Sequence, residues 1–230
     1  MELIIILIVL IIFIIILRYL FNYNIKRIKH LAEEDEELDI ISEKCPDNVD
    51  ICKKCLKIVN NESVKIENDN NAKSSLYIAI SNKIIIGNIT KSYTRIQTIA
   101  HECLHSIQDK KILLFNFVFS NIYLLYFAII CILKFINFLS NEMLFIVIYL
   151  ILSLVYYTIR VYLENDAMIK AKYLAKEYME KEKILNKIEI DKLINGFDKI
   201  NNIGIKCTNY KFFENIIIKL MFFIIICIIR

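Results

Sequence analysis

Two of the chain's three histidines fall in His101-Glu102-Cys103-Leu104-His105. Residues four apart share one face of a helix, so both imidazoles can reach one ion while Glu102 lies beside them. This is the HExxH spacing, and its residue types suit zinc. Neutral imidazole is a good ligand, and a catalytic site uses three protein ligands with a fourth position open to water. The metal lowers the pKa of that water towards about 7, so a nearby carboxylate can take the proton as hydroxide attacks a polarised carbonyl. His101 and His105 are the candidate ligands and Glu102 the candidate base. The competing reading is a pair of packed or solvated helix histidines with no metal.

The rest of the chain says where such a site would sit. With 230 residues, 57% hydrophobic content, three glycines and one proline, it is long enough for one domain and too apolar for an ordinary soluble one. Much of the excess is isoleucine in long runs, so β propensity is discounted. The net charge of +4 is modest, and the basic residues form no arrangement suited to nucleic acid. Seven cysteines, an odd number and partly inside apolar runs, read as reduced thiols.

Leu3–Leu17 is aliphatic or Phe throughout, and Met1-Glu2 offers no basic start and no small-residue cleavage site follows, so an uncleaved membrane anchor is expected. Arg18, Lys26, Arg27 and Lys29 place its C-terminal side in the cytoplasm. His30 belongs to this basic flank and reads as solvated. Ile112–Leu133 and Met143–Ile159, joined through Ser140-Asn141-Glu142, read as a transmembrane hairpin; Lys110, Lys111 and Arg160 put both outer ends in the cytoplasm. Phe212–Ile229 contains Glu214 and Lys219. With Lys219 snorkelling it reads as a fourth membrane helix, and a surface-lying helix is the alternative.

Between the apolar runs, Glu33-Glu34-Asp35-Glu36-Glu37 reads as a solvated face, not a cation site. Asp47 or Asn48 can cap a helix from about Val49 to Asn60. Cys52 and Cys55 on it form a CxxC, but no second such pair follows; Cys45 and, as a fourth ligand, Cys207 would have to complete a zinc site, and two ordinary helix cysteines are favoured. Leu76–Ile80 and Ile84–Ile86 flank Ser81-Asn82-Lys83 and read as a hairpin, whose open edge could take an extended peptide. Thr94 with Gln97 resembles a capping box, so the helix carrying His101 should start near Thr94. Ala167–Lys192 has helical spacing and alternating charges that suggest a solvated cytoplasmic helix pair, with breaks expected at Gly196 and Gly204.

A third ligand is expected after the hairpin. If the motif helix continues into the membrane, His105 to Lys134 rises roughly 43 Å and Asn141 to Glu164 returns roughly 35 Å at 1.5 Å per residue. Glu164 is then the first acidic residue back at the level of the histidines, and Asp166 is its rival. Tyr77, Tyr93, Arg160 and Tyr162 are positional candidates for steadying an oxyanion, with nothing to choose among them.

The stretch from Tyr77 to Gln108, ending in Ile99-Ala100-His101-Glu102-Cys103-Leu104-His105-Ser106-Ile107-Gln108, resembles the membrane-bound neutral zinc metallopeptidases, whose motif reads AHEVGHAIQ. Glu164-Asn165-Asp166-Ala167 resembles that family's E-x-N-A segment, which also follows a transmembrane hairpin. The likeness covers the chain from about Asp50 onward. Leu104 stands where the family has glycine, Asp166 where it has asparagine, and Met168 where it has serine. The resemblance implies a zincin fold with His101, His105 and Glu164 on Zn²⁺ and Glu102 as base.

The expected fold is a mainly α membrane protein with a small β-sheet, about four transmembrane helices and a zincin-like core. Its parts would be an anchor (1–21), a cytoplasmic part with strands and motif helix (22–111), the hairpin (112–163), the third-ligand and cytoplasmic helices (164–211) and a C-terminal membrane helix (212–230). The expected function is zinc-dependent hydrolysis of peptides or membrane proteins at the cytoplasmic face of a bacterial plasma membrane. A non-catalytic zinc-binding scaffold with the same fold is the alternative. The lipid bilayer is a partner in either reading; oligomeric state has no signature.

Overall fold

The computed structural model describes residues 1–21, 23, 35–72, 74–89 and 92–230. The basic flank with Lys26, Arg27, Lys29 and His30, and Glu33 and Glu34 of the acidic run, lie outside the described residues. The described chain is mainly helical: α1 (Glu2–Leu20), α2 (Glu36–Glu43), α3 (Asn48–Ile58), α4 (Arg95–His105), α5 (Lys110–Phe135), α6 (Glu142–Glu182) and α7 (Lys187–Ile229), with strands β1 (Lys65–Asn68), β2 (Leu76–Ile78) and β3 (Lys83–Ile86).

Helices α1, α5, α6 and α7 are each long and apolar enough to cross a membrane. Their isoleucine-rich runs are helical despite the β preference of that residue, and a helix satisfies its backbone hydrogen bonds within one segment. The chain divides into two units. The first comprises Met1–Tyr23, Phe115–Tyr162 and Lys206–Arg230. Its core gathers Tyr123, Ile130, Tyr149, Leu220 and Phe223, with Leu3, Ile6, Leu7 and Leu10 of α1 against it. Asn137, at φ 57°, ends α5, and buried Lys134 pairs with Glu142 at 2.5 Å where the hairpin turns.

The second unit contains the described residues between Asn24 and Leu114 together with Leu163–Ile205. Asp35 caps α2 by accepting from the Leu38 amide, and Asp47, not Asn48, caps α3 by accepting from Val49 and Asp50. Cys52 and Cys55 are fully buried on α3, and all seven cysteines are free thiols. Strand order is β1-β3-β2, with β1 parallel and β2 antiparallel to β3. Central β3 buries Ile84 and Ile86 completely, the period of two that a one-sided sheet requires. The expected hairpin is present, with β2 two residues shorter and β3 one residue longer than drawn: the turn begins at Ala79, whose carbonyl accepts from the Asn82 amide, and Asn82 adopts φ 45°; β1 escaped the reading of Lys65–Asn68, which has no apolar alternation. Gly87 follows β3 where a Cβ would lie 2.7 Å from the Ser74 carbonyl carbon, so only glycine lets these backbones approach.

Three local expectations are corrected. Thr94 precedes α4 but makes no cap: it holds a helical conformation, and its hydroxyl bonds Ser92 at 2.7 Å. Gly196 and Gly204 do not break the chain, since α7 runs through both. They are contact points, where an added Cβ would meet Leu38 and Tyr93 at Gly196 and Met168 at Gly204. The segment after Ala167 is solvated on one face only: Ala167, Ala171, Leu174, Ala175, Tyr178 and Met179 enter the core at helical spacing, while Lys176–Glu180 and Lys181–Glu177 pair outside.

Candidate metal centre

Helix α4 carries the motif and is fixed at both ends. Ile96, Ile99, Ala100, Cys103 and Leu104 form its buried face, so Leu104 belongs to the hydrophobic core. At its start the buried Arg95 guanidinium donates to Ser42 Oγ, Asn48 Oδ1 and the carbonyl oxygens of Ser42, Cys45 and Pro46, tying α4 to the turn between α2 and α3. At its end Ser106 Oγ donates to the Cys103 carbonyl, and Asn61 Nδ2 donates to Ser106 O and Oγ at 3.0 Å. The helix therefore stops at His105. It does not continue into α5 as the rise calculation assumed, because Ser106, Ile107 and Gln108 turn back onto the carbonyls of residues 103, 104 and 105.

Glu164, within α6, meets the two histidines on their partly open face. Nε2 of His101 and Nε2 of His105 lie 3.0 Å apart, and Glu164 Oε2 is 3.6 Å from the first and 3.7 Å from the second. The point in their plane equidistant from these three atoms lies about 2.0 Å from each, the length of a Zn–N or Zn–O bond. His101, His105 and Glu164 together could hold a metal ion.

The hydrogen bonding around the triad suits that use. Gln108 Oε1 lies 2.8 Å from His105 Nδ1 and accepts its proton, which leaves Nε2 with its lone pair towards the triad. The Gln108 amide donates to the Leu163 carbonyl at 2.8 Å and to Asp166 Oδ2 at 3.2 Å, joining the end of α4 to α6 beside Glu164. Burial pushes the Glu164 carboxyl up, but the two imidazoles outweigh it and hold the group well below the usual carboxylate range. Burial pushes His105 down, and Glu164 and Gln108 outweigh it, so its pKa is raised. Asp166 is lowered by Lys170 and Gln108 against the effect of burial; it pairs with Lys170 at 2.5 Å and is no part of the triad.

Glu102 stands apart from the triad. It is 7% exposed, and its Oε2 accepts from the Tyr77 amide at 2.7 Å. That amide points outward from β2, an edge strand, so the sheet anchors the carboxylate. Burial raises the Glu102 pKa, with the imidazoles of His101 and His105 acting against it. Of the other positional candidates, the Tyr77 hydroxyl bonds Asn82, Tyr93 is buried and stacked on Phe197, and Arg160 and Tyr162 belong to the other unit. Sequence reading missed Gln108 and the Tyr77 amide. Gln108 left one signal, its place three residues after His105 on the same helical side, whereas a backbone donor leaves none.

Cys103, inside the motif, is buried with its Sγ 3.7 Å from Cys52 Sγ. No known protein family, curated protein or solved structure matches this chain.

Proposed function

We propose that this chain is an integral-membrane zinc metallopeptidase whose site lies at the cytoplasmic face. One observation carries the reading: donor atoms from two distant segments meet at zinc-ligand distance, while the one carboxylate between them in the motif is held outside the group. The zincin-like arrangement, with two histidines on one helix and a distal glutamate on another, agrees with the resemblance of His101–Gln108 and Glu164–Ala167 to the membrane-bound neutral zinc metallopeptidases.

A zinc ion held by His101, His105 and Glu164 would supply a Lewis acid that polarises a carbonyl and lowers the pKa of water. The protein's own part is positional and acid–base. Gln108 keeps the proton of His105 on Nδ1, leaving Nε2 to bind. Oε2 of Glu102 is engaged by the Tyr77 amide, so Oε1 takes the proton from the attacking water and returns it to the leaving amine. Burial raises the Glu102 pKa, the direction that suits a group that must both accept and release a proton. Beyond the Tyr77 amide, which Glu102 occupies, the edge of β2 offers its remaining outward backbone groups to an extended substrate.

The test is metal content by mass spectrometry on detergent-purified protein, followed by peptide hydrolysis. Near-stoichiometric zinc, lost in His105→Ala and Glu164→Ala, supports the site. Hydrolysis abolished in Glu102→Gln with zinc retained supports the base. Zinc absent from the parent, or full hydrolysis by Glu102→Gln, would overturn the respective part.

A further inference from the structure

Within the apolar part of α7 stands one lysine whose surroundings differ from those of Lys134. Lys134 has Glu142 at 2.5 Å, whereas Lys219 makes no hydrogen bond or ion pair among the described residues. Its Nζ lies 5.0 Å from the ring centroid of Tyr123 and 5.9 Å from that of Phe127, and the side chain is partly exposed.

The polar groups nearby are already satisfied by one another. Ser153 Oγ donates to the Tyr123 hydroxyl at 3.3 Å, and the Tyr149 hydroxyl donates to the Ile216 carbonyl at 3.0 Å. Each hydroxyl has one proton, so Tyr123 must donate to Tyr149 across their 2.5 Å separation. The chain of donors ends on a carbonyl and supplies no negative charge to Lys219. Two aromatic faces soften the cost of a desolvated ammonium, but do not neutralise it.

Lys219 lies about 10 Å along the helix from Phe212 and about 15 Å from Ile229 at 1.5 Å per residue. Glu214, about 7.5 Å towards the N-terminal end of α7, accepts from the Tyr210 hydroxyl at 3.0 Å, and lipid headgroups stay at the edges of a hydrocarbon layer about 30 Å thick, so a further carboxylate for Lys219 must come from another membrane-spanning segment. Beside Lys219, Ile218, Phe222, Ile225 and Ile229 are all exposed at 4-3-4 spacing, the pattern of a helix-packing seam. Phe222 also lies 6.3 Å from Phe127, which places this stripe next to the ring that flanks the ammonium.

We propose that Lys219 is the recognition point for a partner transmembrane helix that carries an acidic side chain at mid-depth and packs along Ile218, Phe222 and Ile225. Ionisable groups inside a bilayer are stable when paired, and here the cation, its aromatic support and an adjoining apolar seam are present with no anion bonded to the cation among the described residues. This inference does not depend on the metal centre.

The test uses full-length protein in vesicles of phosphatidylcholine alone and a polyleucine transmembrane peptide with one central Glu next to a photoreactive residue, compared with its Gln twin. The Glu peptide should cross-link to α7 with about tenfold higher yield, the factor expected from one interhelical polar contact. The preference should vanish in Lys219→Met and persist in Lys219→Arg. Equal yields of the two peptides on the parent protein would refute the proposal, and that comparison needs no variant to fold. A Glu preference that survives Lys219→Met, is abolished by adding phosphatidylglycerol, or is replaced by Lys219-dependent cross-links between two copies of this chain would also overturn it.

Discussion

Replacing Gln108 by Met tests whether the triad is built to hold a metal. In the parent, Oε1 accepts from Nδ1 of His105 at 2.8 Å, and the amide reaches the Leu163 carbonyl and Asp166. Methionine keeps the length and volume but removes all three bonds. His105 is then free to take the other tautomer, with its proton on Nε2 where the ligand lone pair is required. The tie from α4 to the residue preceding Glu164 is lost at the same time. Removing a partner that orients a metal-bound histidine costs about 10- to 100-fold in affinity, or about 1.4–2.7 kcal/mol. Gln108 touches both sides of the triad, so the upper end is expected. Zinc affinity would be measured by competition with a chromogenic chelator on detergent-purified protein near pH 7.5, with helix content checked by circular dichroism. Gln108→Glu keeps an acceptor for Nδ1 but adds a carboxylate beside Asp166, so its affinity should fall between the two. An affinity for Gln108→Met within about threefold of the parent, with helix content unchanged, would refute the role assigned to this residue.

Glu164→Gln should abolish stoichiometric zinc while Asp166→Asn retains it, because Asp166 is engaged by Lys170 and Gln108; metal analysis of the two variants decides, and the reverse pattern would exchange their roles. In metal-free protein, His105 contributes stability that is fully present below the unfolded histidine value of about 6.5 and is lost as pH rises through its raised folded value. Glu164 contributes stability that is present above its unfolded value of about 4.3 and is lost as pH falls through its lowered one. Melting of the chelator-treated protein should therefore peak between about pH 4.3 and 6.5, while zinc affinity, which needs neutral His105, should strengthen above that window. A metal-free optimum above about pH 8 would contradict the sign of this linkage. Arg95→Met leaves the carbonyls of Ser42, Cys45 and Pro46 without their donor and should destabilise the second unit by at least about 3 kcal/mol. Hydrogen exchange should accelerate first in α2 and α3, and unchanged protection there would count against the clamp.

What the amino-acid sequence determined by itself was whatever local spacing and composition control. Apolar runs of membrane length declared α1, α5 and the apolar parts of α6 and α7, since hydropathy over about 20 residues needs no knowledge of neighbours. The four-residue interval declared that His101 and His105 share a face, because helix geometry alone sets it. Asp47 or Asn48 ahead of Val49 announced a cap for the same reason, and the structure chose Asp47. Where a local signal was misread, a distant contact had overridden it. Gly196 and Gly204 looked like breakers, yet α7 runs through both, with Leu38 and Tyr93 packed against Gly196 and Met168 against Gly204. Lys65–Asn68 showed no strand pattern and became one by pairing with β3.

The site divides in the same way. Sequence spacing left Glu164 and Asp166 as rivals, and their pKa-shifting partners are visible only once α4 and α6 are side by side within the second unit. There Asp166 is occupied by Lys170 and Gln108, and Glu164 faces the imidazoles. The anchoring of Glu102 by the Tyr77 amide was beyond any reading of residue types, because a backbone N–H is the same at nearly every position. Only its outward direction at the edge of β2 gives it a role, and strand order, a property of the tertiary structure, decides which amides point outward.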